Sequence, residues 1–395
     1  MKIYLINNLY KPYNRGGAER VVEVIADGLK DNGHEVFIIT TKPFNAQHPI
    51  PNTQYQIPKI HYLNSIYFNL NKIPKFLRIG WHFIDMFDLG SYLKIKSILK
   101  KEKPNIVMTH NLKGIGYLIP KAIKSLNIRY IHTLHDIQLL HPSGLMIYGR
   151  EEKINSQLAK IYARVCQWLF ASPDIVISPS NWLMTMHSDR KLFKNSLLTI
   201  IPNPTAHFFQ VIESADKNNN IFKFLYVGQI EEHKGILFLI KTFCKLNTNS
   251  EKNNFQLTIL GDGTKIKEAK KLALGNKYIK FRNRVEPEEV IKNMQNSDCL
   301  IAPSLCYENS PTVIYEAAAA GLPVIAARIG GLPEIVNQIN GILFTPADEN
   351  DLIKKIKWAM ANLKKIQANA NNGKTVIKEF SPKNYISRLV KMLPK

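Results

Sequence analysis

Residues 298–326 read DCLIAPSLCYENSPTVIYEAAAAGLPVIA. Residues 298–302 are a short apolar run closed by Pro303, the pattern of a buried strand. Ser310 is a natural helix N-cap and Pro311 a natural first helical residue, so a helix is predicted from 311 onward. The four alanines 317–320 and Gly321 permit close packing of that helix on a sheet. A second apolar run at 323–326 restarts a strand. Strand, crossover helix and parallel strand make one unit of an α/β sheet covered on both faces.

The same alternation extends outward in both directions. Strands are predicted at 2–7, 34–41, 105–109, 129–134, 174–178 and 197–201, with a helix at 18–30. A second series is predicted at 223–227, 256–260, 278–281, 298–302 and 323–326. Between them, residues 213–220 are polar and without periodicity, and read as a linker. The fold class is therefore α/β, with two doubly wound Rossmann-like domains, 1–212 and 221–376, facing across a cleft. Residues 377–395 hold a basic amphipathic helix with Ser381 as N-cap and Pro382 as first residue. Ligands of such sheets bind beyond the carboxyl ends of the strands.

Composition narrows the function. The chain has 395 residues with 53 Lys or Arg against 31 Asp or Glu, a net charge of +22. Residues 1–205 carry +13 of it and the remainder +9, so the excess is spread over both domains and forms no tail. No block of five like charges and no nucleic-acid-binding signature occurs, which argues against a nucleic-acid partner. Anionic substrates and an anionic membrane surface remain. Cys166, Cys244, Cys299 and Cys306 form no CxxC pair, so neither a disulfide framework nor a zinc site is expected. The first residues lack the pattern of a signal peptide and no apolar run is long enough to span a bilayer. The expected location is cytoplasmic, peripheral to the inner face of the membrane. Residues 59–103 interleave Tyr67, Phe68, Phe76 and Trp81 with Lys72, Lys75 and Arg78. They read either as an acceptor or lipid contact or as a core helix pair with snorkelling lysines.

The chemistry concentrates at strand ends. The free N–H groups of Thr312 and Val313, with the dipole of their helix, make an anion site. Glu308 and Glu316 flank it, and carboxylates there suit hydroxyls, not phosphate. A ligand that is part phosphate and part polyol, a nucleotide sugar, fits both halves. Gly228 ends the first strand of the second domain, and Lys234-Gly235 opens the next helix with a cation aimed at a diphosphate. Gly261-Asp262-Gly263 and Gly16-Gly17 are further strand-to-helix turns that admit close backbone approach. His135-Asp136 lies at a strand end, where a His can exchange hydrogen bonds with a sugar hydroxyl. His110-Asn111 is a weaker site of the same kind.

In this order the residues resemble glycosyltransferase family 4, retaining enzymes of the GT-B fold. The resemblance rests on Gly16-Gly17-Ala18-Glu19, His135-Asp136, Pro179-Ser180-Asn181, Ile201-Pro202-Asn203-Pro204, Val227-Gly228 with Lys234-Gly235, and Gly261-Asp262-Gly263. It is most specific over 303–336, where Glu308 and Glu316 precede Gly330-Gly331-Leu332-Pro333-Glu334. The resemblance implies a metal-independent transferase without cofactor, taking a UDP-, GDP- or ADP-sugar as donor. The acceptor would be a glycan or polyprenyl-linked, in cell-surface polysaccharide or glycolipid assembly. Catalytic roles fall on His135, Lys234 and Glu308. Donor contacts fall on Gly17, Gly228, Gln229, Gly261, Arg284, Asn309, Ser310, Pro311, Thr312, Val313 and Glu316. Glu316 would hold the ribose, and the C-terminal helix would cross back to the first domain. The family places an Arg in the turn that Gly228 begins. Gln229 stands there in this chain, and Arg284 is read as a partial replacement. Asn283 takes the place of the usual Gly in the base-binding loop. The rival readings are an epimerase on the same fold and a basic nucleic-acid-binding protein.

Overall fold

A computed structural model describes residues 1–13, 16–44, 46, 59–72, 74, 77–204, 221–247 and 254–394. The chain divides into two compact units. The first comprises Met1–Leu145, Glu152–Ala206 and Pro382–Lys395; the second comprises Met146–Glu151 and His207–Ser381. The sequence places 146–151 in the first domain, and the structure moves it to the second unit. The predicted linker at 213–220 lies outside the described residues.

The first unit holds a seven-stranded parallel sheet. Its strands are β1 (Lys2–Ile6), β2 (Glu35–Lys42), β3 (Lys59–Asn64), β4 (Ile106–Thr109), β5 (Arg129–Thr133), β6 (Ile175–Ser178) and β7 (Leu197–Ile200), in the order β3-β2-β1-β4-β5-β6-β7. In register, Ile3 of β1 faces Val36 on one side and Ile106 on the other. The helices are α1 (Gly17–Asp31), α2 (Leu77–Met86), α3 (Leu89–Glu102), α4 (Ile119–Ser125), α5 (Gln157–Phe170) and α6 (Asn181–Ser188). Right-handed crossovers put α1 on one face of the sheet and α3, α4 and α5 on the other.

The second unit repeats the plan with six parallel strands. They are β8 (Phe222–Val227), β9 (Phe255–Leu260), β10 (Ile279–Arg282), β11 (Cys299–Ala302), β12 (Val324–Ala327) and β13 (Ile342–Phe344), ordered β10-β9-β8-β11-β12-β13. Its helices are α7 (Ile236–Asn247), α8 (Ile266–Leu272), α9 (Pro287–Gln295), α10 (Thr312–Ala319), α11 (Leu332–Gln338), α12 (Glu349–Ala361) and α13 (Leu363–Ile377). The last helix, α14 (Pro382–Val390), belongs to the first unit, where Tyr385, Ile386 and Leu389 share a core with Val22, Ile25 and Leu29 of α1.

Every strand predicted from an apolar run is present, shifted by a residue or so at its ends. Two strands carry no such signal. β3 is an edge strand with polar residues on both faces, and β13 is only three residues long. Both sheets reverse strand order at their first strand, between β1 and β4 and between β8 and β11. That places the ligand crevice of each unit at the carboxyl ends of those strands.

Candidate active site

In the second unit, the loops leaving β8 and β9 are laced together. The Ile230 N–H donates to the Asp262 carbonyl at 2.9 Å, and the Lys265 N–H to the Ile230 carbonyl at 3.0 Å. Glu231 accepts from the Thr264 N–H at 2.7 Å and from its hydroxyl at 2.6 Å. The Gly228 N–H donates to the Leu260 carbonyl, and the Tyr226 hydroxyl to the Gln229 carbonyl at 2.7 Å. Gln229 is thus held by its backbone while its side chain is exposed. Lys234 ends a single 3-10 turn, Glu232–Lys234, and Gly235 follows at φ +75°, so α7 starts at Ile236. A Cβ on Gly235 would lie 1.8 Å from the Pro303 carbonyl oxygen. Only glycine lets this turn rest on the loop that leaves β11.

That contact brings Lys234 to Glu308. The ammonium lies 2.8 Å from Glu308 Oε1, and the Ser304 hydroxyl donates to the same oxygen at 2.6 Å. Burial pushes the lysine's pKa down, but the Glu308 carboxylate outweighs it and the net shift is upward. The cation therefore stays charged at neutral pH. Glu308 is fixed from its other side by glycines: the Gly331 N–H donates to its carbonyl at 2.7 Å. Gly330, at φ +60°, leaves 2.2 Å between that carbonyl and the Cβ any other residue would carry. Cys306 beside this cluster is inert, because burial pushes its thiol up to about 11.

Sequence reasoning placed Ser310 as N-cap and Pro311 inside the helix. The structure puts Pro311 at the N-cap, with φ −71° and ψ 125°, and α10 begins at Thr312. Ser310 instead pairs its hydroxyl with Tyr315 at 2.5 Å, a buried bond that anchors the loop to the second turn of the helix. The amides of Thr312 and Val313 open the helix, as the anion-site reading requires. Asn309 and Glu316 are half-buried along the same helix end. Arg284 is exposed on the loop after β10 and makes no hydrogen bond or ion pair with a described residue.

Two contributors to this site escaped the sequence. Ser304 looks like any serine after a strand; only its four-residue spacing from Glu308 could have marked it. The other is the segment 146–151, which adds an antiparallel bridge, Ile147 to Cys306, against the loop after β11. The Tyr148 N–H donates to the Leu305 carbonyl and the Tyr307 N–H to the Met146 carbonyl, both at 2.9 Å. The Tyr307 hydroxyl closes the strap on Glu151 at 2.8 Å. No local pattern in the sequence announces so distant a pairing.

In the first unit, the loops after β1 and β4 are joined in the same manner. The Asn111 N–H donates to Asn7 Oδ1 at 3.0 Å and the Asn8 N–H to the Asn111 carbonyl at 2.8 Å. Gly17 is the first residue of α1, and the Gly16 N–H donates to Glu19 at 2.6 Å. His135 follows β5, and the structure joins the two histidine candidates: His110 Nδ1 lies 3.0 Å from His135 Nε2. Burial pushes His135 down to about 4 and His110 well below its usual range, so both rings are neutral. Burial raises the adjacent Asp136 carboxyl to about 6. Its Oδ1 accepts the Gln138 N–H at 2.7 Å, which orients the turn after His135.

Each unit matches a known family model. Residues 15–206 match the family model Glycosyltransferase Family 4, and residues 209–376 match the model Glycosyl transferases group 1. The chain belongs to glycosyltransferase family 4. This glycosyltransferase is 28% identical to a 42.6 kDa protein of the cps region of Klebsiella pneumoniae, over 87% of this chain and 90% of that one. It is 24% identical to the lipopolysaccharide 1,2-N-acetylglucosaminetransferase of Salmonella typhimurium, over 68% of this chain and 76% of that one. Among solved structures, Anabaena HepE in complex with UDP and glucose aligns at a TM-score of 0.71 and 18% identity. That alignment covers 100% of this chain and 99% of HepE. The likeness is one of fold, and the two Rossmann-like units of this glycosyltransferase are those of the GT-B class.

Proposed function

We propose that this glycosyltransferase moves a sugar from a nucleoside-diphosphate sugar to a glycan or polyprenyl-linked acceptor, with retention of anomeric configuration and without a metal ion. One observation carries the reading. Lys234, Glu308 and Ser304 form a single hydrogen-bonded cluster where β8 and β11 end, beside the opening amides of α10. Charge develops on the diphosphate as the glycosidic bond breaks, and a fixed cation with helix amides stabilises it there. Glu308 holds the ammonium in place before the donor arrives. It acts as a positioning and electrostatic group, not as a nucleophile. The leaving diphosphate takes up the acceptor's proton on the face it departs from, which gives retention. Glu316 binds the ribose hydroxyls, and neutral His135 offers a hydrogen bond to the transferred sugar.

The relatives agree with this reading: a lipopolysaccharide transferase, a cps-region protein, and a structural neighbour in complex with UDP and glucose. A lipid-linked acceptor would place the enzyme on an anionic membrane surface at the cytoplasmic side. The test is release of nucleoside diphosphate from UDP-, GDP- and ADP-sugars, with and without polyprenyl-linked acceptors and with EDTA present. The expected result is acceptor-dependent release and a product whose anomeric proton coupling matches the donor. An inverted product, or donor consumed equally well without acceptor, overturns it.

A further inference from the structure

On one face of the first unit, α3, α4 and α5 lie side by side, with α2 leading into them. These four helices contain nine Lys or Arg and two Asp or Glu. Neither acid offers a free negative charge outward. Asp85 is buried, with both oxygens on the Gly114 N–H, and Glu102 is paired with Lys2 at 3.0 Å. Lys94, Lys100, Lys101, Lys124, Lys160 and Arg164 are exposed.

The same helices leave large apolar side chains in solvent. Phe83 is 66% exposed and Ile84 70% on α2, and Leu158 is 81% and Trp168 59% exposed on α5. Leu89 and Leu93 add to them on α3. An apolar surface of this kind is ordinarily covered by something. The Lys121 ammonium sits 4.5 Å above the Trp168 ring, so cation and aromatic share one patch. Exposed Phe and Trp amid Lys and Arg, with no free carboxylate on these four helices, match a lipid–water interface whose headgroups are anionic.

We infer that the α2–α5 face of the first unit docks on an anionic phospholipid surface, its lysines on headgroup phosphates and Phe83, Ile84 and Trp168 in the interface. This rests on the reading that the acceptor is lipid-linked, and it assigns the surface by which the enzyme would meet it. At α2 the docked face adjoins the strand-end loops, where Asp85 holds the Gly114 N–H of the loop after β4.

The test is sedimentation of the full chain with vesicles of phosphatidylcholine alone or mixed with phosphatidylglycerol, at physiological salt. Binding is expected only to the mixed vesicles. Reversing Lys124, Lys160 and Arg164 to Glu should weaken it at least about a hundredfold, since each positive charge removed costs about fivefold and each added carboxylate repels the headgroups as well. The same change at Lys354, Lys357 and Lys364 of the second unit should not. Phe83→Ser with Ile84→Ser should weaken it at unchanged charge. Equal loss from both triple reversals means diffuse charge attraction and overturns the docking face. So does binding indifferent to phosphatidylglycerol. Loss of duplex-DNA retention in place of vesicle binding would assign the face to nucleic acid, and a dimer broken by the Phe83 variant would assign it to a second copy. Either overturns the inference. Nucleotide release measured in parallel separates the failures: absent docking with intact release leaves the transferase reading standing, and docking without release removes it alone.

Discussion

The two units share a strand order and differ in what they hang from it. Each reverses at its first strand, and each laces the neighbouring loops together by backbone hydrogen bonds at that point. In the second unit the crevice holds an ion pair, and the half-buried cation is kept charged by Glu308. In the first it holds two imidazoles that burial keeps neutral. One topology supplies a charged pair in one crevice and, separately, a pair of neutral rings in the other. The sheet decides where chemistry can sit, and the loop residues decide which chemistry it is.

The largest effect should come from the charged side. Lys234→Ala should lower turnover about a hundredfold, roughly 3 kcal/mol of transition-state stabilisation. Steady-state kinetics check it, and near-normal kcat would break the contrast between the units. Gly330→Ala should come next. The left-handed φ alone costs about 1–2 kcal/mol with a Cβ present. The 2.2 Å approach to the Glu308 carbonyl forces that residue to move as well. Donor affinity should fall about tenfold together with the unfolding midpoint of the second unit, read by donor titration and calorimetry. His110→Phe should cost less, a few-fold in turnover, by removing the bond to His135 while keeping a buried ring. A loss as large as that of Lys234→Ala would mean that the first unit carries charge after all.

The fold was legible because buried parallel strands announce themselves as short Ile- and Val-rich runs between turn signals, as at 299–302 and 175–178. β3 was not, since Lys59, His61 and Asn64 interrupt its apolar residues Ile60 and Leu63. Within the site, Lys234, Glu308 and Thr312 were legible because each sits at a strand or helix end, where position restricts function. The role of Ser310 was misread. Ser-Pro is the usual opening of a helix, but Tyr315 competes for its hydroxyl and shifts the cap by one residue. Ser304 and the strap at 146–151 depend on tertiary pairing, which no local spacing encodes.

The smallest effect concerns pH, and it should split the units by sign. Burial pushes His132 down to about 3 and His82, His135 and His187 down to about 4, all in the first unit. In the unfolded chain these rings protonate near pH 6.5. Between about pH 6.5 and 4 the unfolded state therefore binds more protons, and the stability they contribute is lost as pH falls. Asp85 and Asp136 act in the opposite direction, because burial raises them to about 7 and about 6 and the folded state takes up protons first. Four histidines outweigh two carboxyls, so mild acid should loosen the first unit. Lys234 behaves differently: its folded pKa is raised, so its contribution is complete below about pH 10.4 and is lost only in alkali. Hydrogen exchange, corrected for intrinsic rates, should show the β5 and β6 amides opening more often at pH 5 than at pH 7. The β8 and β11 amides should change less over that interval, because in the second unit burial lowers one described histidine, His233. Equal acid loosening of both sheets would mean that buried imidazoles are not what sets the first unit apart.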